Sequence, residues 1–503
     1  MPEEGQRVFA HKYMMKVTAS VIFSVSSFIS LIFMTRYVGE AYGMMMWGMS
    51  LVATFNAALD VGFHSANIKK VSEGKDLNKC VSTYLVIRIL LSALTILLVL
   101  VTSLVMSVLG SGFPPEFWAV TGAFVVFYVI ESILMVINGT FTGRMNAGKE
   151  SAVLTVSYLV RAVFLIVFSV IGASAFVLSL GYVAGGICAL IVSLILFRSL
   201  KVRLVRPAFF REYMSFVAPL AFPLLLIATV TYVDRILIGA FHGELEVGYY
   251  TAAAGVVFSV ITIGMVMNGL LLSHMSKLNK EGRLEEARNT LWTAQKYLAA
   301  LMLPVTVFLL VFGNETAVAL FGEDFADSGP VLSVLSVGLF LNVVAGMLAQ
   351  VLLSSGRNAP YARSSVVYGF VTALLFIVLI PGWLSDTWAG ALGAAAAVVA
   401  GSFVYVVLLA LTARRHGLFS IYPRIYIHVA VATALLALLC CLKTVFEPSG
   451  ILWVVLLALI SVAVHTMILI SAKEITRKDV EFVRETLSPK NLYDDLRNEL
   501  RRD

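Results

Sequence analysis

Charge is what this chain has least of. Only 13% of its 503 residues are Asp, Glu, Lys or Arg, against about 25% in a soluble domain. Hydrophobic residues make up 59% and the mean hydropathy is +0.92. A soluble fold of this length could not hide that much apolar surface, so the bilayer must be the solvent for most of the chain. Cysteine is equally sparse. Cys80, Cys188, Cys440 and Cys441 show no metal-ligand spacing, and the last two are neighbours inside an apolar run. We expect neither a disulfide nor a metal. A Walker-type phosphate loop is missing, which excludes an ATP-driven pump in this chain alone. Long loops are missing too, so any substrate must be handled within the helices. No Ser/His/Asp or Cys/His set converges at one membrane face. The expectation is therefore no enzyme, no catalytic residue and no cofactor.

The apolar runs are what remain. A spanning helix needs about 20 such residues. Runs of that kind fall at 14–36, 42–65, 80–109, 116–140, 151–172, 175–198, 213–240, 247–273, 291–313, 329–354, 361–382, 388–413, 425–443 and 449–472. The prediction is an all-α polytopic membrane protein with about fourteen transmembrane helices. The first run continues past Arg36 without a small-residue cleavage site, so it reads as a retained span and not a signal peptide.

The basic residues test this map. With the N-terminus in the cytoplasm, nearly all of the 37 Lys and Arg fall in alternate, cytoplasmic segments, as the positive-inside rule requires. They run from Arg7, Lys12 and Lys16, through Lys69 to Lys79, Arg198 to Arg211 and Lys277 to Lys296, to the cluster after Lys473. The net charge of +7 thus reads as topology and contact with anionic lipid headgroups, not nucleic acid. Both termini are expected in the cytoplasm of a cell-membrane protein.

An internal repeat divides the chain. Glu73-Gly74-Lys75 after span two matches Glu281-Gly282-Arg283 after span eight. Gly39-Glu40 before span two matches Gly243-Glu244 before span eight. Repeats of six spans share one orientation, a transporter signature with the substrate path between the halves. The expected organisation is an N-terminal six-helix lobe at 1–200 and a C-terminal six-helix lobe at 201–413, with Lys201–Arg206 as the linker. Two additional helices follow at 414–472, then a cytoplasmic amphipathic tail at 473–503.

Ionisable residues inside spans are costly and face a cavity or a partner. Here they are Asp60, Arg88, Glu131, Arg161, Asp234 and Arg235, with Arg36 near the outer end of span one. All lie in the first seven spans. In one reading the arginines pair with the carboxylates and lock helices together. In the other, Arg36, Arg88, Arg161 or Arg235 binds an anionic headgroup, because guanidinium stays charged and donates two parallel hydrogen bonds to phosphate. Asp60, Glu131 and Asp234 are then coupling or structural carboxylates. Asp234 and Arg235 lie about 100° apart on one helix, so they cannot both face one cavity centre.

Three stretches carry a resemblance. They are Arg36-Tyr37-Val38-Gly39-Glu40-Ala41-Tyr42-Gly43; Pro219 through Asp234-Arg235 to Gly239 and on to Val247-Gly248-Tyr249-Tyr250; and Ser276 past Pro304 to Phe321-Gly322-Glu323-Asp324-Phe325. With them the chain resembles the polysaccharide-biosynthesis flippases, the Wzx-like branch of the multidrug/oligosaccharidyl-lipid/polysaccharide (MOP) exporter superfamily. The resemblance implies the MOP flippase fold, two six-helix lobes around a cationic cavity, and alternating access. The implied substrate is a lipid-linked glycan, a polyprenyl (pyro)phosphate carrying an oligosaccharide. Membrane lipids, and glycan-synthesis enzymes of the same route, are the implied partners. Arg36 and Asp234 match recurrent family positions; the other arginines are inferred from their place inside spans. Three alternatives stay open: a multidrug/cation antiporter of the same superfamily, a lipid II flippase, and a non-transporting scaffold of a glycan-synthesis complex.

Overall fold

A computed structural model describes residues 2–60, 62–108, 113–446 and 450–475. The described residues are almost wholly helical. That follows from the solvent: in hydrocarbon every backbone N–H and C=O must be satisfied within its own segment. The expected amphipathic tail falls mainly on residues 476–503, outside the described residues.

The chain divides into two compact units, at Ile236 and Leu237. The first unit holds α1 (Pro2–Asp60), α2 (Phe63–Ser72), α3 (Leu77–Val108), α4 (Pro115–Gly143), α5 (Ala147–Val170), α6 (Ala175–Phe197) and most of α7 (Phe210–His242). Spans one and two, expected as separate helices, are one 59-residue element broken only at Val38, with φ −146° and ψ 46°. A one-residue break keeps the helical hydrogen bonds on either side. The apolar stretch Ala19–Asp60 has 42 residues and is roughly 60 Å long at 1.5 Å per residue, twice the hydrocarbon thickness. The helix also stops at Asp60 and not at 65, because Gly62 adopts a left-handed φ of 98° and turns the chain into α2.

Among the described residues, twelve helices are long and apolar enough to cross a membrane. The expected count of about fourteen takes α1 as two spans and includes α7.

The basic segment after α6 is tied to α3. Arg203 N donates to Asn78 Oδ1 at 2.8 Å, Val205 N to Ser82 Oγ at 2.9 Å and Ala208 N to Thr83 Oγ1 at 3.2 Å. These side chains satisfy backbone donors that have no helix of their own. The segment read as an inter-lobe linker therefore lies within the first unit, and the compact units divide inside the following helix. Glu212, at the start of α7, accepts from Lys75 and pairs with Lys70 at 2.9 Å. Lys75, then Lys70, holds the Glu212 carboxyl below its usual range. This link is present at neutral pH and is lost as pH falls through that depressed value.

The second unit continues with α8 (Glu244–Lys280), α9 (Leu284–Val311), α10 (Gly313–Phe321), α11 (Ser328–Ser354), α12 (Asn358–Leu379), α13 (Gly390–Arg415), α14 (Ile425–Lys443) and α15 (Ile451–Ser471). Its core is built on α11, whose Val343, Met347 and Val351 pack with Leu271, Met275, Leu298 and Met302. Inter-helix hydrogen bonds such as Asn342 Nδ2 to Ser402 Oγ at 3.1 Å add the polar contacts typical of membrane bundles. The two halves of the internal repeat share a turn. Gly74 (φ 76°) and Gly282 (φ 73°) occupy the same left-handed position just past α2 and α8, where only glycine avoids strain.

Candidate functional site

Helix α4 organises the buried charges of the first unit. Pro115 opens it at a position where a missing N–H costs nothing. Its apolar face buries Phe117, Val120, Phe124, Leu134, Ile137 and Phe141. Elsewhere along it, Ser132 meets Arg88 of α3 and Phe127 meets Arg161 of α5.

Arg88, on α3, is 2% exposed. Its Nη1 donates to Asp60 Oδ1 at 2.9 Å and its Nη2 to Ser132 Oγ at 3.1 Å. Ser92 Oγ completes the set by donating to Ser132 at 2.9 Å. The guanidinium thus joins the end of α1, α3 and α4. A charge in hydrocarbon is tolerated when paired and hydrogen-bonded, and Arg88 meets that condition through its two terminal nitrogens, while its Nε is buried without a partner among the described residues.

Arg161, on α5, is held differently. Its guanidinium carbon lies 4.3 Å from the ring centroid of Tyr182, 5.2 Å from Phe127 and 6.0 Å from Tyr158. These aromatic faces, from α6, α4 and α5, stabilise the cation through their quadrupoles. Phe127 and Tyr182 are themselves in edge contact at 5.6 Å, and Tyr158 is packed by Phe23 of α1 at 4.6 Å. Nε of Arg161 is buried without a hydrogen-bond partner. Among the described residues the terminal nitrogens have no hydrogen bond or ion pair either. Glu131, on α4, is half-buried and makes no hydrogen bond or ion pair among the described residues.

Close helix packing makes this cage. On α6, a Cβ added at Gly185 would lie 2.9 Å from Ser157 O and 3.1 Å from Arg161 Cβ; one at Gly186 would lie 3.3 Å from Ile130 Cγ2 and 3.5 Å from Phe127 Cδ2. The paired glycines let α5 and α4 approach α6 and carry Tyr182 onto the guanidinium. Gly185→Val is expected to destabilise the protein by about 1–3 kcal/mol through overpacking and to move Arg161. A thermal shift of the purified protein in detergent measures it, and an unchanged midpoint would show that this contact is not tight.

The remaining residues are placed as follows. Arg36 is exposed, two residues before the break at Val38. Asp234 and Arg235 lie on α7 and reach each other despite pointing apart along the helix: Arg235 Nη1 lies 3.2 Å from Asp234 Oδ1 and donates to Thr231 O at 2.8 Å. Of the seven residues singled out in the sequence, the structure groups Arg88 with Asp60, pairs Asp234 with Arg235, and seats Arg161 on aromatic rings.

Sequence reasoning missed the aromatic cage. Its only signal was Tyr158 three residues before Arg161, hence on the same helix face. It also missed a second buried cluster. Glu474, just past α15, accepts from Tyr422 Oη at 2.8 Å and lies 3.6 Å from His428 Nε2. His428 and His465 are fully buried, with no hydrogen bond to any ring nitrogen among the described residues.

The described helices make this a multi-pass, all-helical membrane protein with the MOP flippase fold. Its backbone is similar to that of the lipid II flippase MurJ in its inward closed conformation. The TM-score is 0.72 at 12% identity, covering 91% of this chain and 98% of that one. The chain belongs to the family described as "Polysaccharide biosynthesis protein", whose model matches residues 33–330. Two curated relatives are similar over shorter stretches. The teichuronic acid biosynthesis protein TuaB of Bacillus subtilis (strain 168) is 27% identical over 186 residues, covering 36% of this chain and 38% of that protein. The capsular polysaccharide biosynthesis protein CapF of Staphylococcus aureus is 24% identical over 204 residues, covering 39% of this chain and 48% of that protein. The match therefore spans less than half the length of either relative.

Proposed function

We propose that this chain is a flippase that carries a polyprenyl-(pyro)phosphate-linked oligosaccharide or polysaccharide repeat unit across the cell membrane by alternating access. The observation that carries the reading is Arg161, a guanidinium held inside the bundle by aromatic faces, its terminal nitrogens uncommitted among the described residues. Membership of a polysaccharide-biosynthesis family supports it. A phosphate-bearing sugar headgroup faces a prohibitive desolvation cost in hydrocarbon. An arginine already desolvated on Tyr182 and Phe127 supplies charge-assisted hydrogen bonds to phosphate along the way, while the polyprenyl tail stays in lipid. In this reading Arg161 contacts the substrate and Arg88 is structural. Arg36, Asp234 and Arg235 remain candidates for other stages of the path. Both termini face the cytoplasm, as the basic residues of alternate segments direct, and the glycan-synthesis enzymes that load the lipid are the functional partners.

Deleting the gene in its host tests the proposal. Lipid-linked oligosaccharides are then extracted and assigned to a leaflet by accessibility to an impermeant sugar-modifying reagent. Accumulation on the cytoplasmic side, with loss of surface glycan, is expected, and the mass of the accumulated lipid identifies the cargo. Unchanged lipid-linked sugar would sink the proposal.

A further inference from the structure

The internal repeat builds the same corner twice, and among the described residues the chain fills it once. Counting from the matched turn glycines Gly74 and Gly282, the residues Asn67, Val71, Cys80 and Thr83 of the first unit correspond to Met275, Asn279, Arg288 and Leu291 of the second. In the first unit the chain that follows α6 closes the corner. Tyr213 of α7 is fully buried there. Its ring stacks on Tyr84 at 6.3 Å, and its Oη donates to Asn67 Oδ1 at 2.8 Å. Phe209 packs on the same cluster, and the backbone N–H groups of Ala208 and Phe209 donate to Thr83 Oγ1 at 3.2 and 3.4 Å.

In the second unit the stretch that follows α13 turns aside at Gly417, with φ 70°, and is tied to another side of α9. Trp292 Nε1 donates to Ser420 Oγ at 2.7 Å, Gln295 Nε2 to Ser420 O at 2.8 Å, and Tyr422 N to Gln295 Oε1 at 2.6 Å. The stretch thereby becomes one wall of the corner and not its filling. What it bounds is a cavity of about 340 Å³, lined by all four equivalent residues, Met275, Asn279, Arg288 and Leu291, with Val351 of α11 and Phe419 of the wall. At its edge Leu284 is 66% exposed. An apolar side chain seated here would gain dispersion contacts with the lining and cover that surface.

Residues 476–503 lie outside the described residues, and the point from which they run on is fixed beside this cavity. Glu474 accepts from Tyr422 Oη at 2.8 Å and lies 3.4 Å from Arg424 Nη1. Tyr422 is two residues from Ser420, which also lines the cavity. The first aromatic residue beyond this anchor is Phe482. At about 3.3 Å per extended residue it reaches roughly 26 Å from Glu474. The charges on either side of it match the cavity mouth in both signs: Glu481 is opposite to Arg288, and Arg484 to Glu285.

We propose that the segment following Glu474 folds back onto the second unit and seats Phe482 in this cavity, as Tyr213 and Phe209 fill the corner of the first. So docked, it ties the ends of α8, α9 and α11 to the end of α15. Seating of Phe482 requires nothing of the cargo or of Arg161.

The full chain purified in detergent provides the test. Phe482→p-benzoylphenylalanine is irradiated, digested and read by mass spectrometry. Cross-links within one chain to peptides holding Met275, Leu291, Val351 or Phe419 are expected. Cross-links only to detergent or lipid, to a second copy, or to the first unit would overturn the docking. Limited trypsin digestion gives a second reading at Arg484, two residues past the ring. Phe482→Ala is expected to speed cleavage there about tenfold or more, because burial of a phenylalanine side chain shifts the docking equilibrium by at least that factor. Tyr493→Ala should leave the rate unchanged. Equal cleavage of the wild type and Phe482→Ala would also overturn it.

Discussion

Arg161→Ala is expected to insert and fold like the wild type but to bind a polyprenyl phosphate about 10- to 100-fold more weakly and to lose transport. The size follows from hydrogen bonds to charged groups, worth about 1.5–3 kcal/mol, at about 1.4 kcal/mol per tenfold in affinity. Folding is spared because Arg161 locks no ion pair. Its removal leaves the aromatic faces of Phe127, Tyr158 and Tyr182 to pack on one another. Arg161→Lys keeps the charge but not the planar fork and should fall between the two. Replacing Tyr182 with Leu removes the closest aromatic face, at 4.3 Å, and is expected to weaken binding by a smaller factor, since a cation–π contact contributes about 0.5–2 kcal/mol. Binding of a fluorescent polyprenyl phosphate to the purified variants measures all three. Wild-type transport by Arg161→Ala would remove this residue from the substrate path.

Arg88→Ala should fail in the opposite way. It leaves the Asp60 carboxylate and the Ser132 hydroxyl without the group that holds them, and breaking a buried pair from one side costs about 3–5 kcal/mol. The Asp60 side chain is 20% exposed, which places the expected loss toward the lower end. Against a total stability of about 5–15 kcal/mol, even that loss lowers the yield of folded protein. Arg88→Met combined with Asp60→Leu removes both charges and should recover much of the stability of Arg88→Ala alone. The comparison is made by thermal unfolding in detergent, with transport normalised to folded protein. A stable Arg88→Ala that transports nothing would transfer the substrate role from Arg161 to Arg88.

The two arginines look alike in the sequence. Each is a lone cation in an apolar run on consecutive odd-numbered helices, and each reads equally well as a helix lock or a phosphate ligand. Their separation into two kinds came from neighbours remote in the chain. Asp60 and Ser132 converge on Arg88, whereas Phe127 and Tyr182 converge on Arg161. The glycine pair Gly185-Gly186 belongs to the same lesson. In the sequence it is two small residues in an apolar run; in the fold it is the close approach that closes the cage. The basic segment Lys201–Arg206 was visible as a stretch between spans, but its attachment to Asn78, Ser82 and Thr83 was not.

What the sequence determined by itself was whatever depends on the solvent. A chain so apolar and so poor in charge must be all-helical in a bilayer. Its spans follow from the lengths of its apolar runs, and its buried charges stand out because hydrocarbon makes every one of them costly. The tertiary structure alone decided which buried charges pair, which rests on aromatic rings, and where α1 breaks. Those outcomes depend on the rotation and spacing of helices against one another. Contacts between residues far apart in the chain set these, and the hydropathy of a single run carries no record of them.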